Sequence, residues 1–212
     1  MEEGVAEVPR AAEKGKVVVA ITGASGVIYG VLLSRTLSEL GYGVDVILSQ
    51  EAEKVAQLEC SASLRDLLKG FRLYREFEIE APPSSSSYIA KTLGVVISPC
   101  SQKTLALIAH GISQDLVTRS ALAALRVRKP LVLVLRETPL SSIDLENALK
   151  VSREGGIILP ASPGFYHMPR SVKDMVMFVV GKTLDVLGID HNLYRRWDDV
   201  RRDPDLCGTL LT

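Results

Sequence analysis

Charged and phenolic side chains follow two apolar runs in the second half of the sequence. Arg136 and Glu137 come directly after the run Leu131–Leu135, in RETPL. Tyr166 follows a weaker apolar run in PASPGFY, and Lys182 lies among apolar residues of a long helical pattern. Two cations, a phenol and a carboxyl group together would bind an anion and donate a proton to it. A surface ion pair would explain Arg136 and Glu137 equally well, so both interpretations stay open.

A glycine-rich turn follows the first apolar run, in ITGASGVIYG at residues 21–30. Its glycines are not spaced as G-x-G-x-x-G, and the second apolar run ends in Ser49 instead of an acid, which disfavours a dinucleotide site. No Gly-Lys-Ser/Thr follows, so the turn is not a Walker A loop. It predicts either one phosphate held around Gly23-Ala24-Ser25 at a helix start, or a tight turn that binds nothing.

A second polar loop, PCSQKT at residues 99–104, follows another apolar run. Ser101 is a candidate N-cap for the next helix, and Thr104 lies in its first turn. Capping alone would explain Ser101. Because α/β proteins bind ligands at the carboxyl ends of parallel strands, this loop is equally a candidate ligand loop.

Apolar runs and helical patterns alternate along the chain. The runs are apolar on both faces, which is typical of central strands in a parallel sheet covered by helices. This order predicts a single domain of the α/β class, with a Rossmann-like doubly wound parallel sheet flanked by helices. The predicted strands are Val17–Thr22, Val44–Ser49, Val95–Ser98, Leu131–Arg136 and Gly156–Pro160. The predicted helices are Val27–Leu40, Ala52–Glu59, Gln102–His110, Leu116–Arg126, Ile143–Arg153 and Ser171–Leu187.

Three segments divide the chain. Residues 1–15 mix acids with small residues and predict a flexible extension instead of a signal peptide. Residues 16–190 carry the alternating pattern, and residues 191–212 predict a tail that packs on a neighbouring subunit. The last helix is apolar on more than one side, which favours a homo-oligomer. Its predicted core stripe is Val172, Val176, Val179, Val180, Leu184 and Leu187.

Composition narrows the class of protein. The 212 residues are 47% hydrophobic and carry 25 basic and 25 acidic side chains, which favours a globular protein over a nucleic-acid coat. No apolar run is as long as a membrane span. Three widely spaced cysteines argue against a disulfide framework and favour a cytoplasmic location. The histidines are isolated, and no CxxC or HExxH motif is present, so no metal site is expected.

One Pro/Ser-rich segment, APPSSSSY at residues 81–88, interrupts the alternation. Its composition is typical of a surface linker. Serine hydroxyls and free amides would also suit a loop beside a phosphate or a flavin edge, and this second interpretation stays open.

Taken in order, the motifs TGASGVIYG, PCSQKTLALIAHG, LVLVLRETPLSSIDLENAL and GGIILPASPGFYHMP resemble the UbiX-type flavin prenyltransferases. The resemblance covers residues 16–197 and places the chain with the homo-oligomeric flavin-containing cysteine decarboxylases. It implies that reduced FMN is alkylated at N5 by dimethylallyl monophosphate, and that the prenyl chain then closes onto C6. The implied product, prenylated FMN, serves UbiD-type decarboxylases. A dodecamer and a metal-independent reaction are also implied.

The resemblance further implies roles for individual residues. Ser25, Glu59 and Glu137 would be catalytic, with Glu137 as proton donor to the leaving phosphate. The residues implied to hold FMN are Gly23, Ala24, Ser25, Ser49, Ser101, Gln102, Lys103, Thr104, Arg119 and Arg136. The residues implied to hold the substrate phosphate are Arg126, Arg136, Glu137, Tyr166 and Lys182.

This chain departs from the family pattern at several of these positions. Arg126 stands where many relatives carry a lysine, and Lys182 stands where an arginine is common. Lys103 replaces a residue that is often small, and Ser84–Ser87 lacks the glycine of the family's loop. These differences bear on details of substrate contact more than on the reaction.

Three other functions fit parts of the pattern. An FMN-dependent cysteine decarboxylase needs a histidine after the glycine turn, and none is present in the first helix. A direct aromatic acid decarboxylase would need a group that stabilises a carbanion. An FMN carrier would need the flavin loops but not Arg136, Glu137, Tyr166 and Lys182.

Overall fold

Six parallel strands form one sheet in the order β3-β2-β1-β4-β5-β6. The strands are β1 Lys16–Ile21, β2 Gly43–Leu48, β3 Arg72–Arg75, β4 Gly94–Cys100, β5 Leu131–Leu135 and β6 Ile157–Pro160. The computed structural model describes residues 14–199 and 207–208. By its contacts the chain divides into two compact units, Met1–Pro160 and Ala161–Thr212. The first unit holds the whole sheet, so the predicted parallel α/β fold is confirmed.

The five predicted strands are present, and a sixth, β3, was missed. Val17 to Ile21 of β1 and all of β5 are buried, as expected for strands with helices on both faces. In contrast, β3 is an edge strand of four residues, RLYR, whose two arginines are exposed. A short and charged edge strand lacks the apolar run that identified its neighbours.

Eight helices accompany the strands, among the residues that the structure describes. They are α1 Ile28–Glu39, α2 Gln50–Cys60, α3 Leu64–Leu67, α4 Ser86–Ile89, α5 Gln102–Ala109, α6 Leu116–Arg126, α7 Ser142–Arg153 and α8 Val172–Val186. The six longer helices were predicted. The one-turn helices α3 and α4 were missed because four residues are too few to show a helical period.

Side-chain caps fix where several helices begin. Ser49 starts α2 by accepting a hydrogen bond from the Ala52 amide at 3.1 Å, and Ser101 starts α5 in the same way. Asp115 starts α6 with a reciprocal capping box that includes Thr118. These caps lie at the carboxyl edge of the sheet, where the helices follow the strands.

The Pro/Ser-rich segment is ordered as a short 3₁₀ turn, Pro82–Ser84, followed by α4. Its last residue, Tyr88, donates a hydrogen bond from its hydroxyl to the buried carboxylate of Asp45 in β2. The Lys16 ammonium lies 3.4 Å from the same carboxylate. Tyr88 is therefore anchored at the amino ends of the strands, the edge opposite to the polar loops.

The second unit contains α8 and an aromatic cluster. Ser171 caps α8 by accepting a hydrogen bond from the Asp174 amide at 3.2 Å. The prediction that Val172 belongs to the core stripe is wrong, because this first helical residue is 79% exposed. Phe178 is buried instead, and its ring stacks on His167 with centroids 4.8 Å apart.

Two predicted segments lie largely outside the described residues. Of the predicted extension, residues 1–13 are not described, and of the predicted tail, residues 200–206 and 209–212 are not described. All three cysteines, Cys60, Cys100 and Cys207, are free. Within 14–199 and 207–208, no helix is long and apolar enough to cross a membrane.

Candidate active site

A cavity of about 270 Å³ opens at the carboxyl edge of the sheet. Residues that directly follow β1, β2, β3, β4 and β5 line it, together with the start of α6. In a sheet of this strand order the direction of winding reverses between β1 and β4, and ligands bind at that point. The lining residues are Thr22, Gly23, Ala24, Ser49, Glu51, Glu76, Ser101, Gln102, Lys103, Thr104, Asp115, Val117, Arg136 and Glu137.

The glycine-rich turn is held by close backbone contacts. A Cβ atom on Gly30 would lie 2.1 Å from the backbone oxygen of Ser98, so α1 could not pack against β4 with a larger residue. Gly26 has φ +89°, a conformation that favours glycine. Its amide donates to both carboxylate oxygens of Glu59, at 3.0 and 2.9 Å. Glu59 thus fixes the turn that leads into α1.

Hydrogen bonds join the first two polar loops. The Thr22 hydroxyl donates to the backbone oxygen of Pro99 at 2.8 Å and accepts from the Ser101 amide at 2.9 Å. Ser101 therefore has a structural role both as a cap and as a partner of Thr22. The same bonds bring Gly23 and Gln102 to one side of the cavity, where a single ligand would contact both loops.

Three acids in the cavity wall were missed at the sequence level. Glu76 accepts a hydrogen bond from the Gln50 amide at 2.8 Å and so caps the start of α2. Glu51 lies 3.8 Å from the ammonium of Lys103, which pairs the α2 and α5 sides of the opening. Asp115 caps α6. Acids near helix starts are common for electrostatic reasons alone, so their pattern gave no sign of a ligand site.

Several polar atoms at the site are buried without a protein partner. Both polar atoms of the Gln102 amide and the Nε atom of Arg136 have no hydrogen bond among the described residues. The Nε atom of Arg119, on α6, is also buried with no hydrogen bond to a described residue. Buried polar groups in proteins are almost always hydrogen-bonded. Gln102 and Arg136 line the cavity, so a polar ligand bound there would lie beside these two side chains, whereas Arg119 does not line it.

Arg136 also affects a tyrosine of the glycine-rich motif. Burial raises the pKa of Tyr29, and the positive charge of Arg136 opposes this shift. Tyr29 and Arg136 therefore interact electrostatically within the first unit. Glu137, which directly follows Arg136, is exposed, and its carboxylate accepts a hydrogen bond from the Thr138 amide at 3.0 Å.

The structure brings together most of the residues expected to hold the flavin. Gly23, Ala24, Ser49, residues 101–104 and Arg136 all line the cavity, as does Glu137. Ser25, Glu59, Arg119 and Arg126 do not line it, although Ser25 follows Ala24 directly. Arg126 is exposed at the last residue of α6. Their expected roles stay predictions.

Tyr166 and Lys182 lie in the second unit. The Tyr166 ring makes edge contacts with the rings of Phe178 and Trp197, at centroid distances of 5.6 and 5.1 Å. The Lys182 ammonium lies 3.6 Å from Asp185. A hydrogen bond with Tyr194 raises the pKa of Lys182, although burial acts in the opposite direction. Lys182 is thus a firmly charged cation beside a tyrosine.

No group of three His, Cys, Asp or Glu side chains suited to a metal ion occurs between residues 14 and 199 or at 207–208. Two cations, Lys103 and Arg136, line the cavity together with four carboxylates, Glu51, Glu76, Asp115 and Glu137. The two cations and the N-terminus of α5 are its phosphate-binding groups. This donor set suits phosphate groups, which arginine binds in a bidentate manner.

Comparison with known proteins places these features in context. The model of the Flavoprotein family matches residues 5–184. Flavin prenyltransferase UbiX of Saccharolobus solfataricus is 51% identical over 184 residues, which are 86% of this chain and 92% of that protein. A crystal structure of a UbiX protein with FMN and dimethylallyl pyrophosphate is 36% identical, with TM-score 0.81 over 86% of this chain and 97% of that one. A dodecameric FMN-dependent UbiX-like decarboxylase from Escherichia coli O157:H7 is 39% identical, with TM-score 0.82 over 86% and 98%.

Proposed function

The chain belongs to the UbiX family of flavin prenyltransferases, and we propose that it transfers the dimethylallyl group of dimethylallyl monophosphate to reduced FMN. It is thus a transferase, and its product is prenylated FMN. The observation that best supports this function is the set of buried, unpartnered polar atoms on Gln102 and Arg136 in the cavity. These atoms fit a polar, anionic ligand such as FMN.

Two loops and one helix start would hold the flavin. Gly23, Ala24 and residues 101–104 line the cavity, with Ser25 directly after Ala24, and Ser49 lines it from the end of β2. The N-terminus of α5 and the Lys103 ammonium favour a phosphate group there. The unpartnered Nε atom of Arg119 is available for a further flavin contact. When bound, reduced FMN would supply the nucleophilic N5 atom and, for ring closure, C6.

The residues of the chain would assist departure of the phosphate. In the transfer, the allylic carbon–oxygen bond of the donor breaks as a carbon–nitrogen bond forms, and the phosphate leaves. Cations stabilise the charge that develops on the leaving phosphate. Arg136, Tyr166 and Lys182 would hold that phosphate, and Arg126 would contribute from the end of α6. Ser25 and Glu59 would act at the flavin side, where Glu59 already fixes the turn.

Glu137 would give the leaving phosphate its proton. It lines the cavity and directly follows Arg136, so a phosphate held by the guanidinium would lie within reach of the carboxyl group. Proton donation to a leaving group contributes on the order of a hundredfold or more to the rate. Glu137→Gln should therefore lower kcat by about a hundredfold while FMN affinity stays unchanged. Glu146→Gln, at an exposed site on α7, is the matched control.

Three finer features belong to the same proposal. The reaction would need no divalent metal, because a monophosphate leaving group can be neutralised by arginine, lysine and a proton donor. The product would pass to a UbiD-type decarboxylase. The chain would assemble as a cytoplasmic homododecamer, in which the last residues pack on a neighbouring subunit.

One assay tests the function. The protein is incubated anaerobically with reduced FMN and dimethylallyl monophosphate. EDTA is present to chelate divalent metals, and the flavin is then analysed by mass spectrometry. A mass gain of one prenyl unit is expected with the monophosphate, and dimethylallyl pyrophosphate in a parallel reaction shows which donor is used. Unmodified FMN with both donors would refute prenyl transfer and would leave flavin storage as the function.

A further inference from the structure

A single carboxylate in the second unit faces two cations. The Asp185 Oδ2 atom lies 3.6 Å from the ammonium of Lys182, and its Oδ1 atom lies 2.6 Å from the Nη1 atom of Arg196. The His191 Nε2 atom also lies 3.0 Å from Oδ1. Because the His191 Nδ1 atom accepts from the Leu193 amide at 3.2 Å, the ring is a neutral donor through Nε2. One carboxylate therefore lies beside two full positive charges, and the cluster has a net positive charge.

Tyr194 contacts both cations. Its hydroxyl donates to Asp185 and accepts from the Arg196 Nη1 atom at 2.9 Å. The Tyr194 ring centroid lies 4.9 Å from the Arg196 guanidinium carbon and 5.2 Å from the Lys182 ammonium. Ammonium and guanidinium thus share Tyr194 and Asp185 as neighbours.

Both cations remain accessible and keep free donors. The Lys182 side chain is 43% exposed and that of Arg196 is 41% exposed. Nη1 makes both of the Arg196 bonds to acceptors, while Nη2 faces the protonated nitrogen of His191 at 3.3 Å. The Nε–H and Nη2–H groups of Arg196 therefore have no acceptor among the described residues. A guanidinium with two free donors is suited to bidentate binding of a phosphate.

We propose that Arg196 is a further phosphate-binding residue, which together with Lys182 holds the phosphate of the dimethylallyl donor, and that Asp185 and Tyr194 are its positioning residues. This inference rests on the proposed function for the identity of the donor. A phosphate monoester carries about two negative charges, which the surplus charge of this cluster attracts. Lys182 is a point charge, whereas Arg196 adds the planar fork that fixes the orientation of the phosphate.

The surroundings of the cluster support the assignment and supply a probe. Tyr166, the phenol expected at the phosphate, interacts electrostatically with both Lys182 and Arg196. Its ring also contacts Trp197, which directly follows Arg196 and is the only tryptophan in the chain. Trp197 is 69% exposed, so its fluorescence will respond to an anion that binds beside it.

The test measures phosphate binding without flavin or turnover. Inorganic phosphate and dimethylallyl monophosphate are titrated into the FMN-free protein, and the emission of Trp197 is followed. Arg196→Gln should raise the Kd for both ligands about tenfold or more, because it removes hydrogen bonds to a charged group. Arg196→Lys, which keeps the charge, should lie between the wild type and Arg196→Gln. Arg195→Gln is the matched control, because Arg195 makes no hydrogen bond or ion pair with another described residue.

The outcomes separate this inference from the proposed function. If Arg196→Gln binds phosphate as tightly as Arg195→Gln, Arg196 is not a phosphate ligand, whatever the wild type catalyses. If Arg196→Gln and Arg196→Lys lose affinity equally and lose thermal stability equally, Arg196 is structural and the inference is wrong. If the wild type forms no prenylated FMN but Arg196→Gln alone loses phosphate affinity, the phosphate site stands and the proposed function fails. In an active wild type, Arg196→Gln should raise KM for the donor and leave the Kd of FMN unchanged.

Discussion

Replacement of Gln102 by leucine tests whether the buried, unpartnered amide is a ligand group. Both polar atoms of this side chain are buried with no hydrogen bond to a described residue. A buried amide without partners costs on the order of 1–3 kcal/mol, and leucine has a similar size without polar atoms. Gln102→Leu should therefore raise the free energy of unfolding of the FMN-free protein by about 1–3 kcal/mol. For a chain of this length, each kcal/mol corresponds to a rise in Tm of about 2–4 °C.

The same substitution should weaken flavin binding. Two lost hydrogen bonds of about 1 kcal/mol each correspond to an about thirtyfold higher Kd for FMN. Thermal denaturation of the FMN-free protein and fluorescence titration with FMN measure the two effects separately. Gln57→Leu, at an exposed position on α2, is the control. It should neither raise the Tm of the FMN-free protein nor change the Kd for FMN.

Higher stability of the FMN-free protein together with weaker FMN binding is the diagnostic result for Gln102→Leu. A less stable FMN-free protein would mean that the amide already has partners in solution. An unchanged Kd for FMN would mean that the amide does not face the flavin. Either result would refute the interpretation of the unpartnered atoms as ligand groups.

Two further predictions concern packing and pH. Gly30→Ala places a Cβ atom 2.1 Å from a backbone oxygen of β4 and should cost about 3 kcal/mol of stability, measured by chemical denaturation. Gly111→Ala is the control, because this position has open space but φ +67°, and it should cost only about 1 kcal/mol. Equal losses of stability in the two variants would contradict the close contact at Gly30. Burial would raise the pKa of Asp185, but hydrogen bonds from Tyr194 and Arg196 outweigh it and hold that pKa below its ordinary value. The stability that this carboxylate gives the second unit is therefore fully present above about pH 4 and is lost as the pH falls through the lowered pKa. Trp197 emission should change in that acidic range in the wild type but not in Asp185→Asn, and identical pH profiles would refute the role of Asp185.

The sequence predicted the centre of the sheet better than its edge. β1 and β5 are buried on both faces, so their apolar runs were unambiguous. β3 has exposed arginines and only four residues, and its place beside β2 depends on backbone pairing that no side-chain pattern records. The cap at Ser101 was also predicted, because a cap is a local interaction between residues three positions apart.

The candidate site was predictable where it follows the strands. Loops after parallel strands meet at one edge, so the turn at Gly23, the loop at 101–104 and Arg136 were candidates there, whereas Ser49 was assigned to FMN by the resemblance. The resemblance to a known family, rather than spacing, supplied their chemical roles.

The remaining groups depend on tertiary contacts that spacing does not show. Glu76 reaches the start of α2 from the end of an unpredicted strand. Asp185 gathers Tyr194, Arg196 and His191 from a segment that was expected only to pack on a neighbour. Such convergence is set by how the chain after α8 folds back within the second unit, and no local pattern encodes it.

Hydrogen–deuterium exchange of the FMN-free and FMN-loaded protein tests most directly whether the cavity is the flavin site. Flavin contacts predict slower exchange in residues 22–26 and 101–104, which line the cavity or adjoin its wall. Peptides from α7, which contributes nothing to that wall, should exchange at the same rate with and without FMN. Unchanged exchange at both loops in a protein that binds FMN would contradict the flavin site and, with it, the mechanism built on this cavity.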